Sequence, residues 1–480
     1  MEKASDIFKK IMLAILLLIV AAALVLVVIT GLDSKSYLLA LIAGAVWAAA
    51  LLRLFRRLPV LTIKPSQAAL WLTVFCFVIQ LAWVLAIRIE PFSDYDTYWQ
   101  CARALAFGTE IPSAWYIAMY PHILGCSSFI GIFVRLFGDS VLMVSVLNVL
   151  LTCLSGLLIF RICLDIASLN TACLAYLLWA VCPCKLMMNS LVFSEPLYTC
   201  LILLLLWLVL QAEKQKESLS ARPWLCAACG IALGLLLRWI NIVRPIAAIL
   251  IIALFLWLVF LRGRDLRSGA QWKMWLILCA AALCVYSVTG KIWDRYVEDK
   301  VGMEPAAVPI YNIYVGFNEQ TQGQWSAEDM DLLFHYMNEE GLSPTEAQEQ
   351  MLPHLRERIA SGIDFGRLFS SKLIAFLGND ELGGYTYRFT RSESFVRICM
   401  VICNVFYYGV LLAAVGGILR MAGDAAFSSQ LLIPLYILGL TLAHMLVEVA
   451  NRYHYSLIPL LIILAALGFS GSEKTGRSTP

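Results

Sequence analysis

Long apolar stretches separated by short polar connections dominate the pattern of this 480-residue chain. A helix needs about 20 apolar residues to cross the hydrocarbon core of a bilayer. The pattern therefore predicts an all-α polytopic membrane protein with about twelve transmembrane helices, outer juxtamembrane helices and one mainly helical extracytoplasmic segment. The predicted spans lie near residues 11–30, 37–52, 68–87, 141–160, 167–184, 197–211, 224–240, 245–261, 274–290, 398–419, 430–447 and 456–469.

Composition agrees with a protein whose solvent is the bilayer and whose partners include membrane lipids. Hydrophobic residues make up 61% of the chain and charged residues only 14%, against about 25% charged residues in soluble domains. The net charge of +3 and the lack of basic patches with interleaved aromatics exclude a nucleic-acid partner. The 15 cysteines are scattered through apolar runs, which is typical of small buried hydrophobes and not of a disulfide or zinc framework.

A thirteenth apolar stretch, residues 120–137, decides the topology. Cytoplasmic segments of membrane proteins carry an excess of Lys and Arg. If the N-terminus is cytoplasmic and residues 120–137 do not cross, the basic segments 213–217 and 262–265 face the cytoplasm; if the stretch crosses, both face outward. We therefore expect residues 120–137 to form an interfacial or re-entrant helix on the outer side.

This topology divides the chain into four parts. An N-terminal membrane domain, residues 1–290, carries an outer loop at 88–140 with the candidate active site. An extracytoplasmic segment follows at 291–396, and Ser326 and Ser343 are predicted to start helices within it. The remaining parts are the C-terminal membrane helices at 397–470 and a disordered tail at 471–480.

Unusual polar residues collect on the outer side under this topology. Ionisable groups at membrane depth are energetically costly and by default mark a functional site. A carboxylate can act as general base on a hydroxyl, and arginines can bind a phosphate by paired hydrogen bonds. Transfer of a sugar from a polyprenyl phosphate to an acceptor hydroxyl needs these groups and no organic cofactor. The residues are Asp94 and Asp96 after the third span, Glu195 after the fifth, Arg238 and Arg244 between the seventh and eighth, and His444, Glu448, Arg452 and His454 after the eleventh.

The first outer loop also has an ordered set of motif residues: Asp94, Tyr98, Ala102, Gly108, Tyr120-Pro121 and Leu136-Phe137-Gly138. This order resembles the first outer loop of the GT-C glycosyltransferases, in particular the family-39-like group that includes protein O-mannosyltransferases and lipid A aminoarabinose transferases. The resemblance implies that Asp94 is the catalytic base and that the loop carries juxtamembrane helices that do not cross. Glu195 matches the acidic residue of the family's second outer loop, and Arg244-Pro245 and Arg452-Tyr453 also resemble family features.

Two features depart from the family pattern. A hairpin at residues 11–52 precedes the span that matches the family's first span. The acidic neighbour that usually follows the first Asp is Tyr95 here, and Asp96 comes one position later. The sequence therefore leaves open whether Asp96 takes the role of that neighbour.

The expected activity is that of an inverting GT-C glycosyltransferase with a polyprenyl-phosphate sugar donor and a glycan, lipid or protein acceptor. The resemblance requires no cofactor and no metal, and the sequence leaves open a divalent ion bound by the carboxylates of Asp94 and Glu195. Each assignment has a structural alternative: Asp94 and Asp96 as helix caps, Glu195 as a favourable charge at a helix start, the arginines as headgroup anchors and the histidines as satisfied polar residues. The candidate catalytic residues are Asp94, Glu195 and Asp96, and the candidate substrate-binding residues are Arg244, Arg452, Arg238, Tyr98 and His454.

Five aromatic residues in the outer segment could stack on sugar rings, but packing inside a small domain is the favoured interpretation. They are Trp293, Tyr311, Tyr314, Trp325 and Tyr385.

Two other classes of function compete with an enzyme. A secondary transporter or lipid-linked-saccharide flippase would show internal repeats and polar groups at the bilayer midplane, whereas this chain shows no repeat and its polar groups collect at one face. A membrane scaffold would need no converging carboxylates and arginines. The expected location is a bacterial plasma membrane, with the site facing outside.

The topology can be tested with reporter fusions. Fusions at Lys216, at Arg264 and at the C-terminus should report cytoplasm, and a fusion at Glu319 should report the outside, because the basic segments hold the former inside. A cytoplasmic signal at Glu319 contradicts the assignment of residues 120–137 and the outward position of the site.

Overall fold

The computed structural model describes residues 2–33, 35–263, 271–423 and 430–470, so the predicted tail at 471–480 lies outside the described residues. Across these ranges the chain is helical with turns and contains no strand, which confirms the all-α prediction. The α-helices are α1 (Glu2–Asp33), α2 (Lys35–Phe55), α3 (Pro65–Ala86), α4 (Asp94–Phe107), α5 (Ala114–Met119), α6 (His122–Phe137), α7 (Val141–Ile166), α8 (Leu169–Ala180), α9 (Pro183–Met188), α10 (Glu195–Lys214), α11 (Lys216–Ser220), α12 (Pro223–Val243), α13 (Ala247–Leu256), α14 (Gln271–Val301), α15 (Ile310–Gly316), α16 (Ala327–Phe334), α17 (Pro344–Ala360), α18 (Phe365–Leu373), α19 (Glu393–Gly423), α20 (Leu432–Leu446) and α21 (Ile458–Phe469).

Nine helical stretches of the described chain are long and apolar enough to cross a membrane. They are α1, α2, α3, α7, α10, α12, α14, α19 and the final stretch Asn451–Phe469. Three of the four shorter apolar helices, α8, α20 and the stretch Ala247–Leu261, coincide with the remaining predicted spans. The fourth is α6, the stretch for which the charge distribution predicts no crossing. The chain is thus an integral, multi-pass membrane protein.

Helix α6 packs between α4 and α12, and small residues allow this close approach. A Cβ atom at Gly125 would come within 2.2 Å of the Ile242 carbonyl oxygen, and one at Gly131 within 2.9 Å of the Ala102 carbonyl oxygen. Any larger residue at these positions would force the helices apart. The first outer loop is therefore held directly against the end of α12 that precedes Arg244.

The extra N-terminal hairpin, α1 and α2, packs against α19. The rings of Trp47 and Phe406 lie 5.4 Å apart at this contact. At the end of the hairpin, the Tyr37 hydroxyl donates a hydrogen bond of 2.5 Å to Glu381. The hairpin thus reaches the turn at residues 379–388, which connects α18 to α19.

Helices α15, α16 and α17 form a second hydrophobic cluster around fully buried Tyr311, Leu333 and Met351. Both predicted helix starts in this region are confirmed. The Ser326 hydroxyl accepts a hydrogen bond from the Asp329 amide, and Ser343 forms a complete capping box with Glu346.

Lys372 of α18 joins this outer cluster to the chain that leads into α21. Its side chain is fully buried, and its ammonium donates to the carbonyl oxygens of Gly316 at 2.7 Å and Val447 at 2.8 Å. The backbone continues the junction, because the Glu448 amide donates to the Asn312 carbonyl at 2.7 Å. The loop after α20 is therefore fixed to the outer cluster.

Replacement of Lys372 by Met should lower the thermal unfolding temperature by several degrees. The variant keeps the length of the side chain but leaves two buried carbonyl groups without their donor, and each such group costs roughly 1–3 kcal/mol. The measurement is thermal unfolding of the purified protein in detergent, with the exposed Lys291→Met as matched control. Equal unfolding temperatures for both variants would show that Lys372 does not hold this junction.

Candidate active site

The outer site is built around Asp94, the first residue of α4. Ser93 precedes it with a φ of 48°, a conformation that non-glycine residues rarely adopt and that often marks functional positions. The carboxylate of Asp94 points across the fold, where one oxygen accepts a 2.6 Å hydrogen bond from Arg452 and the other a 3.3 Å bond from the Tyr116 hydroxyl. Asp94 is therefore engaged by distant parts of the chain and not by the amides of its own helix.

Arg452 lies 358 residues further along the chain, in the short 3₁₀ turn Asn451–Leu457. Its guanidinium carbon is 5.6 Å from the ring centres of both Tyr95 and Tyr453, and it donates a 3.3 Å hydrogen bond to the Tyr95 hydroxyl. Only 20% of the Arg452 side chain is exposed, compared with 34% for Asp94. The ion pair is thus accessible mainly from the carboxylate side.

The charge of Arg452 determines the protonation of Asp94. Burial raises the pKa of the carboxyl group, but the positive charge and hydrogen bond of Arg452, with a hydrogen bond from Tyr116, outweigh this effect and hold the pKa below its ordinary value. The carboxylate is consequently ionised at neutral pH and able to accept a proton.

A second arginine, Arg244 at the end of α12, lies beside the first. Its guanidinium carbon is 4.6 Å from the ring centre of Tyr453 and 5.9 Å from that of Tyr198. Glu195, which is 3% exposed at the start of α10, lies close enough to interact electrostatically with both Arg244 and Arg452. Two cations and two carboxylates from four separate segments therefore meet on one side of the molecule.

Tyr98 lies in the same cluster. It is 5% exposed, interacts electrostatically with Arg244 and Glu195, and hydrogen-bonds to Ser194. This agrees with its position one turn after Asp94 on α4, since residues four apart share a helix face.

Three other candidates point elsewhere. Asp96 accepts a 3.2 Å hydrogen bond from Gln100 of its own helix. The Arg238 guanidinium donates to the Tyr286 carbonyl on α14 at 2.7 Å and stacks on the Tyr286 ring. His454 is fully buried, bonds to the Phe376 carbonyl at 2.7 Å and stacks on Tyr407. We do not assign these three residues to the site.

Sequence reasoning missed His122 and gave no role to Glu448. His122, which follows the Tyr120-Pro121 motif, is close enough to interact electrostatically with Asp94, Arg244 and Arg452. The Glu448 carboxylate accepts a 3.2 Å hydrogen bond from the Tyr453 hydroxyl, and burial raises its pKa. His444 is linked to this loop through the Glu448 carbonyl at 3.1 Å. The residue spacing within the HILG and HMLVEVANRY segments does not predict these contacts. The contacts arise because distant segments pack against each other.

Within the described ranges, no group of three or more His, Cys, Asp or Glu residues has the geometry to hold a metal ion. Of the outer aromatic residues considered for sugar stacking, Tyr311 and Tyr314 are buried in the second cluster, whereas Trp325 is 58% exposed. Tyr385 instead lies beside the site, 5.7 Å from the Tyr95 ring.

Comparison with known proteins bears on the class of enzyme. No curated protein matches the chain. The solved structure of ArnT from Cupriavidus metallidurans bound to undecaprenyl phosphate is similar at 12% identity, with 84% of this chain and 78% of that chain covered and a TM-score of 0.37, a similarity too low to carry an argument.

Residues 122–291 match the family model of dolichyl-phosphate-mannose-protein mannosyltransferases. The matched segment contains Glu195 and Arg244, while Asp94 and Arg452 lie outside it. Over these residues the chain is similar to GT-C mannosyltransferases, in agreement with the resemblance seen in its loops.

Proposed function

We propose that the protein transfers a sugar from a polyprenyl-phosphate donor to an acceptor hydroxyl at the extracytoplasmic face of the membrane, with inversion at the anomeric carbon. The observation that carries this proposal is the meeting of Asp94, Glu195, Arg244 and Arg452, which come from four distant segments. The match to a glycosyltransferase family supports the same class of reaction.

In the proposed reaction, the Asp94 carboxylate takes the proton of the acceptor hydroxyl as that oxygen forms a bond to the anomeric carbon. The bond between the anomeric carbon and the phosphate oxygen breaks, and the polyprenyl phosphate leaves with the electron pair. Arg244 and Arg452 stabilise the negative charge of this leaving group. Glu195 orients the sugar or the acceptor from the floor of the site.

The Asp94–Arg452 ion pair suits a reaction in which the donor binds before Asp94 acts as a base. Arg452 donates a 2.6 Å hydrogen bond to Asp94, and this bond lowers the pKa of the carboxyl group and weakens it as a base. A donor phosphate between Arg244 and Arg452 would draw the guanidinium away from Asp94, and burial would then raise the pKa of the base. The base becomes stronger when the donor is in place.

The proposed side of the membrane and the cell envelope location rest on the distribution of basic residues. The predicted outward face carries Asp94, Glu195, Arg244 and Arg452, while the basic segments 213–217 and 262–265 are predicted to face the cytoplasm. A bacterial plasma membrane with an outward site would supply a lipid-linked donor whose tail stays in the bilayer. The domain division at residues 290 and 396 remains part of this proposal.

Replacement of Arg452 by Gln should raise the pKa of Asp94 above its ordinary value, because burial then acts without the opposing charge. In the wild type the ion pair stabilises the fold above the unfolded-state pKa of Asp94, and this stabilisation is lost as pH falls through the lower folded-state pKa. The carboxyl stretching band of Asp94, followed by difference infrared spectroscopy against Asp94→Asn, measures the shift. An unchanged pKa in Arg452→Gln contradicts the proposed control of the base by Arg452.

Replacement of Asp94 by Asn should reduce sugar transfer by at least about 10²-fold, the lower range for loss of a general base, with normal expression. Asn retains the size of Asp but cannot accept the proton. Asp96→Asn is the matched control on the same helix, because the Asp96 carboxylate accepts a hydrogen bond from Gln100 of that helix, and it should lose much less activity.

Thermal stability in detergent separates catalysis from helix capping. If Asp94 acts only as a cap, Asp94→Asn should keep near-full transfer and Asp94→Ala should lose stability, since Asn caps helices about as well as Asp. Near-full transfer by Asp94→Asn would remove Asp94 as the base and leave Glu195 as the alternative.

A further inference from the structure

A cluster of three aromatic rings and one arginine, which we call the aromatic platform, lies next to the site. It consists of Phe92, Tyr385, Tyr387 and Arg388. The Phe92 ring centre is 6.3 Å from those of both tyrosines, and the Arg388 guanidinium carbon is 4.0 Å from the Phe92 ring centre and 4.8 Å from that of Tyr387. Two distant segments, the one before α4 and the 3₁₀ turn Leu382–Arg388, therefore share one surface.

The platform is linked to the ion pair by a chain of ring contacts. Arg452 contacts Tyr95, whose ring is 5.7 Å from that of Tyr385. Arg452 also contacts Tyr453, which contacts Arg244. The platform and the two arginines are therefore neighbours of the same Asp94–Arg452 pair.

Arg388 is exposed and has no carboxylate within ion-pair distance in the part of the chain that the structure describes. Its Nε donates a 2.7 Å hydrogen bond to the Tyr387 hydroxyl, and its face covers Phe92. A guanidinium stacked in this way is held in place while its terminal N–H groups remain able to pair with an anion. Tyr387 is 50% exposed and extends the apolar surface beside it.

Asn451, which precedes Arg452 in the chain, fixes the platform relative to Arg452. The Asn451 side chain donates to the Asn379 carbonyl at 2.8 Å and accepts from the Glu381 amide at 3.0 Å. Tyr37 of the N-terminal hairpin binds the Glu381 carboxylate from the other side. The turn that carries the platform and the turn that carries Arg452 therefore move together.

We propose that the aromatic platform binds the acceptor, and that the acceptor is a saccharide that carries an anionic group. A pyranose ring presents an apolar C–H face that can pack on the half-exposed Tyr387 ring, while the neighbouring Arg388 pairs with a carboxylate or phosphate on the same sugar. The assignment to the acceptor rests on the proposed function, since that function assigns Arg244 and Arg452 to the donor phosphate and leaves the neighbouring platform for the acceptor.

The test is a binding measurement without donor. The full-length protein in nanodiscs of zwitterionic lipid is titrated with three matched disaccharides, which end in glucuronic acid, glucose 6-phosphate or glucose. Both anionic disaccharides should bind about tenfold more tightly than the neutral one, an increment of 1.4 kcal/mol that one charged hydrogen bond can supply. Arg388→Gln should abolish this preference, and Tyr387→Leu should weaken all three ligands.

Arg391→Gln is the matched control, because Arg391 is an exposed arginine three residues away on the same segment. It should keep the full preference. Equal binding of neutral and anionic disaccharides by the wild type, or a preference retained in Arg388→Gln, overturns the proposal. Loss of disaccharide binding in nanodiscs of anionic lipid, restored by dilution of that lipid, would identify Arg388 as a headgroup anchor and also overturn it.

The binding measurement uses no donor, so its outcome does not require sugar transfer. A protein that binds the anionic disaccharides but never transfers sugar contradicts the proposed function and the acceptor role of the platform, whereas active transfer without any saccharide preference contradicts the platform alone.

Discussion

The outer site depends on the ion pair between Arg452 and Asp94. The Arg452 side chain is 20% exposed and that of Asp94 34%, so water screens this ion pair less than it screens a fully solvated surface pair. Tyr95 and Tyr453 flank the guanidinium, and Tyr116 donates to the carboxylate. The first outer loop and the last membrane stretch are thereby joined across 358 residues.

Arg452 is held at one position relative to Asp94 because backbone contacts fix the loop that carries it. The Glu448 amide donates to the Asn312 carbonyl at 2.7 Å and the Val449 amide to the Gly323 carbonyl at 2.9 Å. Buried Lys372 closes the same junction. These are main-chain constraints, so they restrict the position of Arg452 more than contacts between flexible side chains could. The outer segment around α15 to α18 thus contributes to the site without lending a charged group to it.

The sequence alone predicted the helices well, because hydrophobic length and helix-start residues are local signals. The grouping of Asp94, Glu195, Arg244 and Arg452 followed from topology, since loops on one side of a membrane can meet, and Tyr98 followed from the motif of the first outer loop. The orientation of individual side chains did not follow. Arg238 precedes Arg244 by six residues, about 240° around a helix of 3.6 residues per turn, and it contacts Tyr286 instead.

His454, two residues after Arg452, is a second case in which sequence did not predict the orientation of a side chain. In a 3₁₀ turn with three residues per turn, two positions also separate side chains by about 240°, and His454 stacks on Tyr407 away from the site. His122 and Glu448 reach the site through contacts between segments that no local pattern encodes. Helical phase therefore decides which of several nearby charges enters the site, and sequence order alone does not give that phase.

Helical phase also explains how the chain departs from the family pattern at Tyr95 and Asp96. Asp96 is two positions after Asp94, about 200° around α4, so its carboxylate faces Gln100 and cannot share Arg452. Position 95 does face Arg452, and here it holds a neutral hydroxyl. A carboxylate at this position would compete with Asp94 for the guanidinium. The tyrosine hydroxyl accepts a 3.3 Å hydrogen bond from Arg452 and leaves the positive charge of the guanidinium to Asp94. Its aromatic ring lies 5.7 Å from that of Tyr385 and links the ion pair to the platform.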